Sequence, residues 1–310
     1  MHDPAATQLD LPVPASPQSW RGIAFIVFGG MLFSVMGAMA KQESHAVPTF
    51  ELVAARSAVT LLVIDLVRRR GKIKLEFFDL PMLFSRSLAG FIAIGAYFFA
   101  LRTIPLGDAV LLNNASPALT ALGAVLLLHE RMTVEKAIAM VGSSLGVWLL
   151  VRGRLGTMQA QGAVVGAMSA LFSAWALVSL KVATRKNRSV MVVWALAAMC
   201  TLGSLFTIPF DAPWTMPGGF DGLLLIGTGV SAAFAQLLMT SGYRLLDASD
   251  ASIYSYINPL FAVLMGVVIF GDTPSWGTWV GGTLIMGSGV LVALSDRMPW
   301  ARNRAKDRLS

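Results

Sequence analysis

Polar and aromatic side chains gather immediately before two prolines, Pro117 and Pro259, that stand 142 positions apart. These side chains are Asn113, Asn114 and Ser116 before the first proline, and Tyr254, Ser255, Tyr256 and Asn258 before the second. Amides and hydroxyls form hydrogen bonds, and tyrosine rings add apolar faces. The chemistry that this set predicts is reversible binding of a small organic molecule. The alternative is that the amides hydrogen-bond neighbouring helices and that the tyrosines anchor helix ends.

Candidate catalytic residues are scarce. The three histidines share no motif with a serine nucleophile, or with one another and a glutamate; they are His2, His45 and His129. Hydrolytic and metal-dependent chemistry need such constellations. The single cysteine, Cys200, cannot form an internal disulfide. We therefore predict no catalytic residue, no metal site and no cofactor; a membrane enzyme, a channel and a scaffold are the less favoured alternatives.

The elements that position these residues are apolar helices. The apolar fraction is 55% and the charged fraction only 13%, against about 25% charged in soluble domains. Segments of about 20 apolar residues are long enough to cross a bilayer as helices. We place ten spans at about 22–40, 50–67, 82–101, 107–128, 134–151, 161–180, 190–208, 221–241, 250–270 and 276–294. The chain is predicted to be an all-α integral membrane protein.

The two halves of the chain are related. A shift of 142 positions places Arg102 on Arg244, Asp108 on Asp250, Pro117 on Pro259, Glu130 on Asp272 and Thr133 on Ser275. Five spans in each half, an odd number, orient the second half oppositely to the first, and inverted repeats of this kind are typical of transporters. Because matching helix interruptions mark a midplane binding site, we expect a cavity near Pro117 and Pro259.

Basic residues define the orientation. With the N-terminus inside, most of the 24 lysines and arginines fall on one side of the membrane. Positive loops stay in the cytoplasm, so both termini are predicted to be cytoplasmic, in a multi-pass protein of the cell (inner) membrane. This distribution explains the net charge of +7 without nucleic acid. The expected partners are the lipid bilayer and a small-molecule substrate, and the sequence predicts no oligomeric state.

Five further residues within the spans are candidates for the site. Tyr97, Trp175 and Gln236 lie mid-span. For each of them, contact with substrate and packing in the core are alternatives of equal weight. Arg56 lies about 10 Å into span 2, where an unpaired charge costs several kcal/mol. Glu51 precedes it by five residues, about 140° around the helix, so the two cannot pair directly. We predict that Glu51 and Arg56 act in gating or coupling; structural pairing of Arg56 and solvation of Glu51 are the alternatives.

Other charged residues have structural explanations. Asp65 precedes Arg68 and Arg69 by three and four residues, which predicts ion pairs on one helix face. Asp108 and Asp250 open spans 4 and 9, where we predict that they cap the helix N-termini.

Two runs carry a resemblance to a known family. ALRTIPLGDAVLLNNASPALTALGAVLLLHERMT and AQLLMTSGYRLLDASDASIYSYINPLFAVLMGVVIFGDTPS, with ELVAARSAV in span 2, resemble the EamA branch of the drug/metabolite transporter superfamily over residues of about 20–294. The resemblance implies ten helices in two inverted five-helix repeats, a central cavity, and movement of small organic metabolites. We divide the chain into a disordered cytoplasmic tail (1–20), a first EamA-like repeat (21–152), a second (159–295) and a basic cytoplasmic tail (296–310).

The chain departs from the family pattern twice. Asp272 stands where the family usually has glutamate, and span 1 lacks the tryptophan that span 6 has as Trp175. We expect a secondary transporter that works by alternating access on amino acids or related amphipathic compounds. The family favours export. Uptake and exchange by the same fold remain the alternatives, and the sequence leaves the energy source open.

Overall fold

The computed structural model describes residues 17–116, 118–119, 134–207, 213–215, 217–246 and 254–295. Within these ranges the chain forms ten α-helices and no β-strand, which confirms the predicted all-α class. The helices are α1 (Pro17–Glu43), α2 (Thr49–Arg70), α3 (Leu80–Thr103), α4 (Leu106–Asn113), α5 (Val134–Arg152), α6 (Ala160–Lys186), α7 (Ser189–Phe206), α8 (Gly219–Leu245), α9 (Ile257–Phe270) and α10 (Trp276–Ser295).

Five of these helices are long and apolar enough to cross a membrane: α1, α3, α6, α7 and α8. Helix α2 is equally long but carries Glu51, Arg56 and Asp65, and α5, α9 and α10 contain shorter apolar stretches. Large apolar side chains cover the outer surface of the bundle; Leu62, Phe84, Val141, Leu223 and Val268 are examples. Such a surface is what a lipid-facing protein presents.

Helix packing follows the internal repeat. Helix α1 packs on α8 as α6 packs on α3, and α1 touches α9 as α6 touches α4. Three further contacts join corresponding helices of the two halves, namely α2 with α7, α4 with α9 and α5 with α10. The contact pattern is therefore preserved when the halves are exchanged, which is the architecture of two inverted five-helix repeats.

The helices of spans 4 and 9 are interrupted at equivalent positions. Helix α4 ends at Asn113, and a turn at Asn114 and Ala115 precedes Ser116. In the second half Tyr256 forms the turn, and α9 begins at Ile257. Pro259 lacks a backbone N–H and so removes one helical hydrogen bond, as predicted. Pro117, the corresponding residue of the first half, lies outside the described residues.

Asp108 corrects one prediction. Helix α4 begins at Leu106, with Pro105 at the N-cap position, so Asp108 lies inside the first turn and does not cap the helix. Its carboxylate instead forms an ion pair with Arg154 and accepts a hydrogen bond from Thr278 Oγ1 at 2.8 Å. Asp250 lies outside the described residues. The predicted ion pairs of Asp65 with Arg68 and Arg69 are confirmed, at 2.7 and 2.6 Å.

Candidate functional site

A small pocket lies between α2, α3, α7 and α8. In this conformation its cavity volume is only about 10 Å³, which is room for about one water molecule and far below the 300–1,000 Å³ that is typical of ligand sites. The lining residues are Arg56, Ser57, Thr60, Ile94, Val193, Leu196, Ala197, Cys200 and Gln236. Arg56 and Gln236 are the two members that the sequence singled out. The pocket is thus centred on α2 and α7, and not on the interrupted helices near Pro259.

Arg56 is the charged group of this pocket. Its side chain is buried, at 5% exposure, and its guanidinium lies 5.3 Å from the centroid of the Phe98 ring. Nε has no hydrogen-bond partner. Across the described ranges no carboxylate comes within ion-pair distance of Arg56. Structural pairing, the alternative that the sequence left open, is therefore not what the described residues show.

Glu51 is engaged elsewhere. Its Oε2 accepts hydrogen bonds from the backbone N–H of Thr215 at 2.7 Å and from Thr215 Oγ1 at 3.4 Å. The side chain is buried, so interfacial solvation, the alternative for this residue, does not describe it. Glu51 instead ties the start of α2 to the segment that precedes α8.

Tyr97 lies beside the pocket without lining it. Its ring meets the edge of Phe98, with centroids 5.7 Å apart, and its hydroxyl is 2.9 Å from the position that a Cβ on Gly37 would take. Tyr97 therefore packs between α3 and α1, next to the ring that underlies Arg56.

Amides beside the two interruptions bind neighbouring helices. Asn113 Nδ2 donates to Ser169 Oγ at 3.1 Å and to Ser173 Oγ at 3.0 Å on α6. In the other half, Ser34 Oγ on α1 lies 2.9 Å from both the carbonyl oxygen and Oδ1 of Asn258, either of which can accept its hydrogen. Ser34 and Ser173 occupy the same place in the aligned runs LFSVMGAM and LFSAWAL. The two halves thus hold their interrupted helices with corresponding serines.

The remaining predicted residues are dispersed. Asn114 Nδ2 donates to the carbonyl of Val110 within its own helix at 2.8 Å, and Ser116 and Pro259 are buried. Trp175 Nε1 donates to Ser85 Oγ on α3 at 3.0 Å, although its side chain is 46% exposed.

The two tyrosines near the second interruption have different surroundings. Tyr254 is 38% exposed, whereas Tyr256 is buried. The Tyr256 ring lies against Gly289 of α10, because a Cβ on that glycine would come within 1.4 Å of its hydroxyl. In this conformation Tyr256 therefore packs between helices.

Sequence reasoning missed several polar residues around the pocket. Ser57 and Thr60 share a face of α2 with Arg56, and Thr60 Oγ1 donates to the carbonyl of Gly229 on α8 at 3.1 Å. The sequence could have indicated them, because residues one and four positions after Arg56 lie near the same face of a helix. Cys200 had no such signal, because only packing places its thiol there.

Polar contacts close the bundle at the end where α1 finishes and α2 begins, which is the predicted outer side. Lys41 Nζ donates to the carbonyl of Ile104 at 2.7 Å. Asp272, at the end of α9, accepts from the backbone N–H of Leu106 at 3.0 Å. The Asp108 contacts with Arg154 and Thr278 lie at the same end. Two of these contacts join the halves, since Leu106 and Asp108 belong to the first half and Asp272 and Thr278 to the second.

Comparison with known proteins places this geometry in context. A family model described as the EamA-like transporter family matches residues 20–152 and 160–294. The pseudopaline exporter CntI of Pseudomonas aeruginosa strain UCBPP-PA14 is 30% identical over 267 residues, covering 86% of this chain and 93% of that protein. The riboflavin transporter of Vibrio cholerae is 23% identical over 274 residues, with 86% and 90% covered.

A human relative and a solved structure extend the comparison. Solute carrier family 35 member G1 of Homo sapiens is 25% identical over 299 residues, covering 90% of this chain and 80% of that protein. A crystal structure with 22% identity superposes with a TM-score of 0.64 over 90% of this chain and 98% of the other. At that identity the likeness shows the fold alone.

Proposed function

Because this chain belongs to the EamA-like transporter family, and is therefore a multi-pass membrane transporter of small molecules, we propose that it exports organic metabolites by alternating access. The observation that carries the proposal is the relation between the pocket and the closed end of the bundle. The pocket lies between helices of both repeats, and the contacts of Asp272 and Thr278 join the repeats at one end. Separating those contacts while closing the opposite end is the motion that inverted repeats permit.

Export is the proposed direction. The relative named as a pseudopaline exporter, with 30% identity across most of both chains, supports it. Uptake is the alternative within the same fold, and it predicts the opposite flux in the measurement below. We also propose that the protein lies in a bacterial-type inner membrane with both termini in the cytoplasm. In that orientation the closed end of the bundle faces the outside of the membrane.

Amino acids or related amphipathic compounds are the proposed cargo. Arg56 and Gln236 line the pocket and are the proposed contacts once movement of the repeats has widened it. Asn113, Asn114 and Asn258 remain proposed contacts of the opposite conformation, because a rocking motion that separates α1 from α9 and α6 from α4 would release the amides of Asn113 and Asn258. Glu51 would then act in gating through its hydrogen bonds with Thr215.

Efflux from loaded cells tests this function. Cells are loaded with one amino acid at a time, supplied as a dipeptide, and its loss to the medium is followed with and without the protein. We expect saturable, faster loss for a restricted set of compounds. The Arg56→Gln variant should abolish the gain, whereas Arg69→Gln should keep it, because Arg69 is an exposed residue on the same helix. Faster entry would favour uptake, and the absence of saturable flux in either direction would contradict the transporter mechanism.

A further inference from the structure

Two buried arginines on consecutive helices lie beside α7. Arg56 lies near the start of α2 and Arg86 near the start of α3, and these consecutive helices run in opposite directions. Arg56 is 5% exposed and Arg86 is 9% exposed. In each of them Nε lacks a hydrogen-bond partner. Of the carboxylates that the structure describes, none lies within ion-pair distance of either guanidinium.

Arg86 stands one side chain away from the pocket. A Cβ on Gly90 would lie 2.6 Å from Arg86 Nη1 and also 2.6 Å from Leu196 Cδ1, so these two atoms are separated by at most twice that distance. Leu196 lines the pocket together with Arg56. One turn further along α7, Cys200 lines the same pocket. The two cations therefore act on one small volume.

The nearby acidic groups on α2 are already occupied. Glu51 accepts hydrogen bonds from Thr215, and Asp65 pairs with Arg68 and Arg69 at the far end of the helix. The Phe98 ring gives Arg56 a cation–π contact, which offsets only part of the cost of burying a charge. Among the residues that the structure describes, these two positive charges thus have no ion-paired anion.

We propose that this pocket, widened when the repeats move, is an oxyanion site in which Arg56 and Arg86 bind the carboxylate or phosphate group of a small organic acid. Guanidinium groups suit this role because their planar fork pairs with two oxygens at once. Ser57 and Gln236 also line the pocket and supply further polar contacts. Ile94 and Leu196 provide an apolar wall for the remainder of the molecule. The inference rests on the proposed transport function, since it names the chemical class of the cargo.

The single cysteine of the chain makes the charge of the pocket measurable without a known substrate. Cys200 lines the pocket, so its rate of modification reports on reagents that enter. The purified protein is treated with a negatively charged sulfonatoethyl methanethiosulfonate or a positively charged trimethylammonioethyl methanethiosulfonate, and labelling is followed by intact mass. Rates are normalised to those of the denatured chain. Cys200→Ser, which should show no labelling, is the control for specificity.

We expect the negative reagent to label Cys200 at least about tenfold faster than the positive one, because charged clefts enrich counter-ions by factors of 10 to 1,000. Arg56→Met and Arg86→Met should each reduce that preference severalfold, whereas Arg86→Lys should retain it. Arg69→Met, on the exposed face of α2, should leave it unchanged. Equal rates for the two reagents in the wild-type protein, or no labelling by either, would overturn the proposal, and this result requires no variant to fold.

Ligand protection identifies which oxyanion is bound. Succinate and glycerol phosphate are tested against their neutral counterparts, succinamide and glycerol, at constant pH and ionic strength. The site is supported if only one of the two acids slows the labelling of Cys200 and if this protection is lost in Arg56→Met. The acid that protects then shows whether the site binds carboxylate or phosphate. Protection by phosphatidylglycerol alone would mean a lipid site and contradict the proposal. If neutral compounds protect equally and are exported, transport stands while the anion inference fails.

Discussion

Gly289 of α10 lies against the Tyr256 ring at the second interruption, and this contact gives a sharp test of the fold. A Cβ placed on Gly289 would lie 1.4 Å from the Tyr256 hydroxyl, 2.4 Å from Cζ and 2.8 Å from Cε2. Three atoms of one rigid ring are involved, so the ring must move as a unit to admit a methyl group. Gly289→Ala is therefore expected to destabilise the protein.

The size of the effect follows from two opposing contributions. Overpacking of a filled core costs about 1–3 kcal/mol, while alanine is favoured over glycine in a helix interior by about 1 kcal/mol. Gly287, on the same helix, has no atom within 4 Å of its Cβ position. Gly287→Ala therefore gains the helix preference without the clash, and the difference between the two variants isolates the overpacking cost of about 1–3 kcal/mol.

Unfolding by SDS in mixed micelles, followed by circular dichroism, measures this difference. Removing the ring should cancel the clash, so Gly289→Ala should cost nothing when it is introduced into Tyr256→Ser. Equal stability of the two single alanine variants would refute the placement of Tyr256 against α10. So would a Gly289→Ala penalty that persists after the ring is removed, because the clash could not then involve Tyr256.

Three further variants test the contacts that hold the interrupted helices and the closed end. Ser34→Ala removes the hydrogen bond to Asn258 and should lower the free energy of unfolding by about 1 kcal/mol; an unchanged unfolding midpoint would contradict that contact. Asp108→Asn leaves Arg154 without its buried partner and should cost on the order of 3 kcal/mol in the same assay. Asp65→Asn breaks more exposed ion pairs and should be clearly milder than Asp108→Asn; the reverse order would refute the burial argument.

Hydropathy and the internal repeat were sufficient for the fold. Proline chemistry also predicted the interruption near Pro259, because the ring removes a helical hydrogen bond whatever the surroundings. The ion pairs of Asp65 were equally predictable, since they depend only on spacing within one helix. Each of these features depends only on residues close together in the chain, so one sequence is enough to predict it.

The site was less predictable because it depends on how helices from different parts of the chain meet. Asn113 and Asn258 looked like substrate ligands, yet both face a serine on a neighbouring helix. Arg56 was recognised by its charge, but its relation to Cys200 exists only after α2 packs on α7. Asp108 was assigned to a helix cap from its place in the chain, while its partners lie 46 and 170 positions away.

The two repeats share their helix arrangement but differ in their buried charges. This difference allows a pseudo-symmetric transporter to bind an asymmetric substrate in one orientation. Ser34 and Ser173 form corresponding hydrogen bonds to the interrupted helices of the two halves. A rocking motion would therefore break or form equivalent contacts in each half. Among the side chains that the structure describes, the buried arginines belong to the first half. Helix α7 contains no charged residue, and the charged residues of α8 stand near its ends. Under the proposed oxyanion site, the acid group of the cargo therefore faces α2 and α3, and its remainder faces α7 and α8. The first repeat would then supply the charge recognition, while both repeats supply the movement.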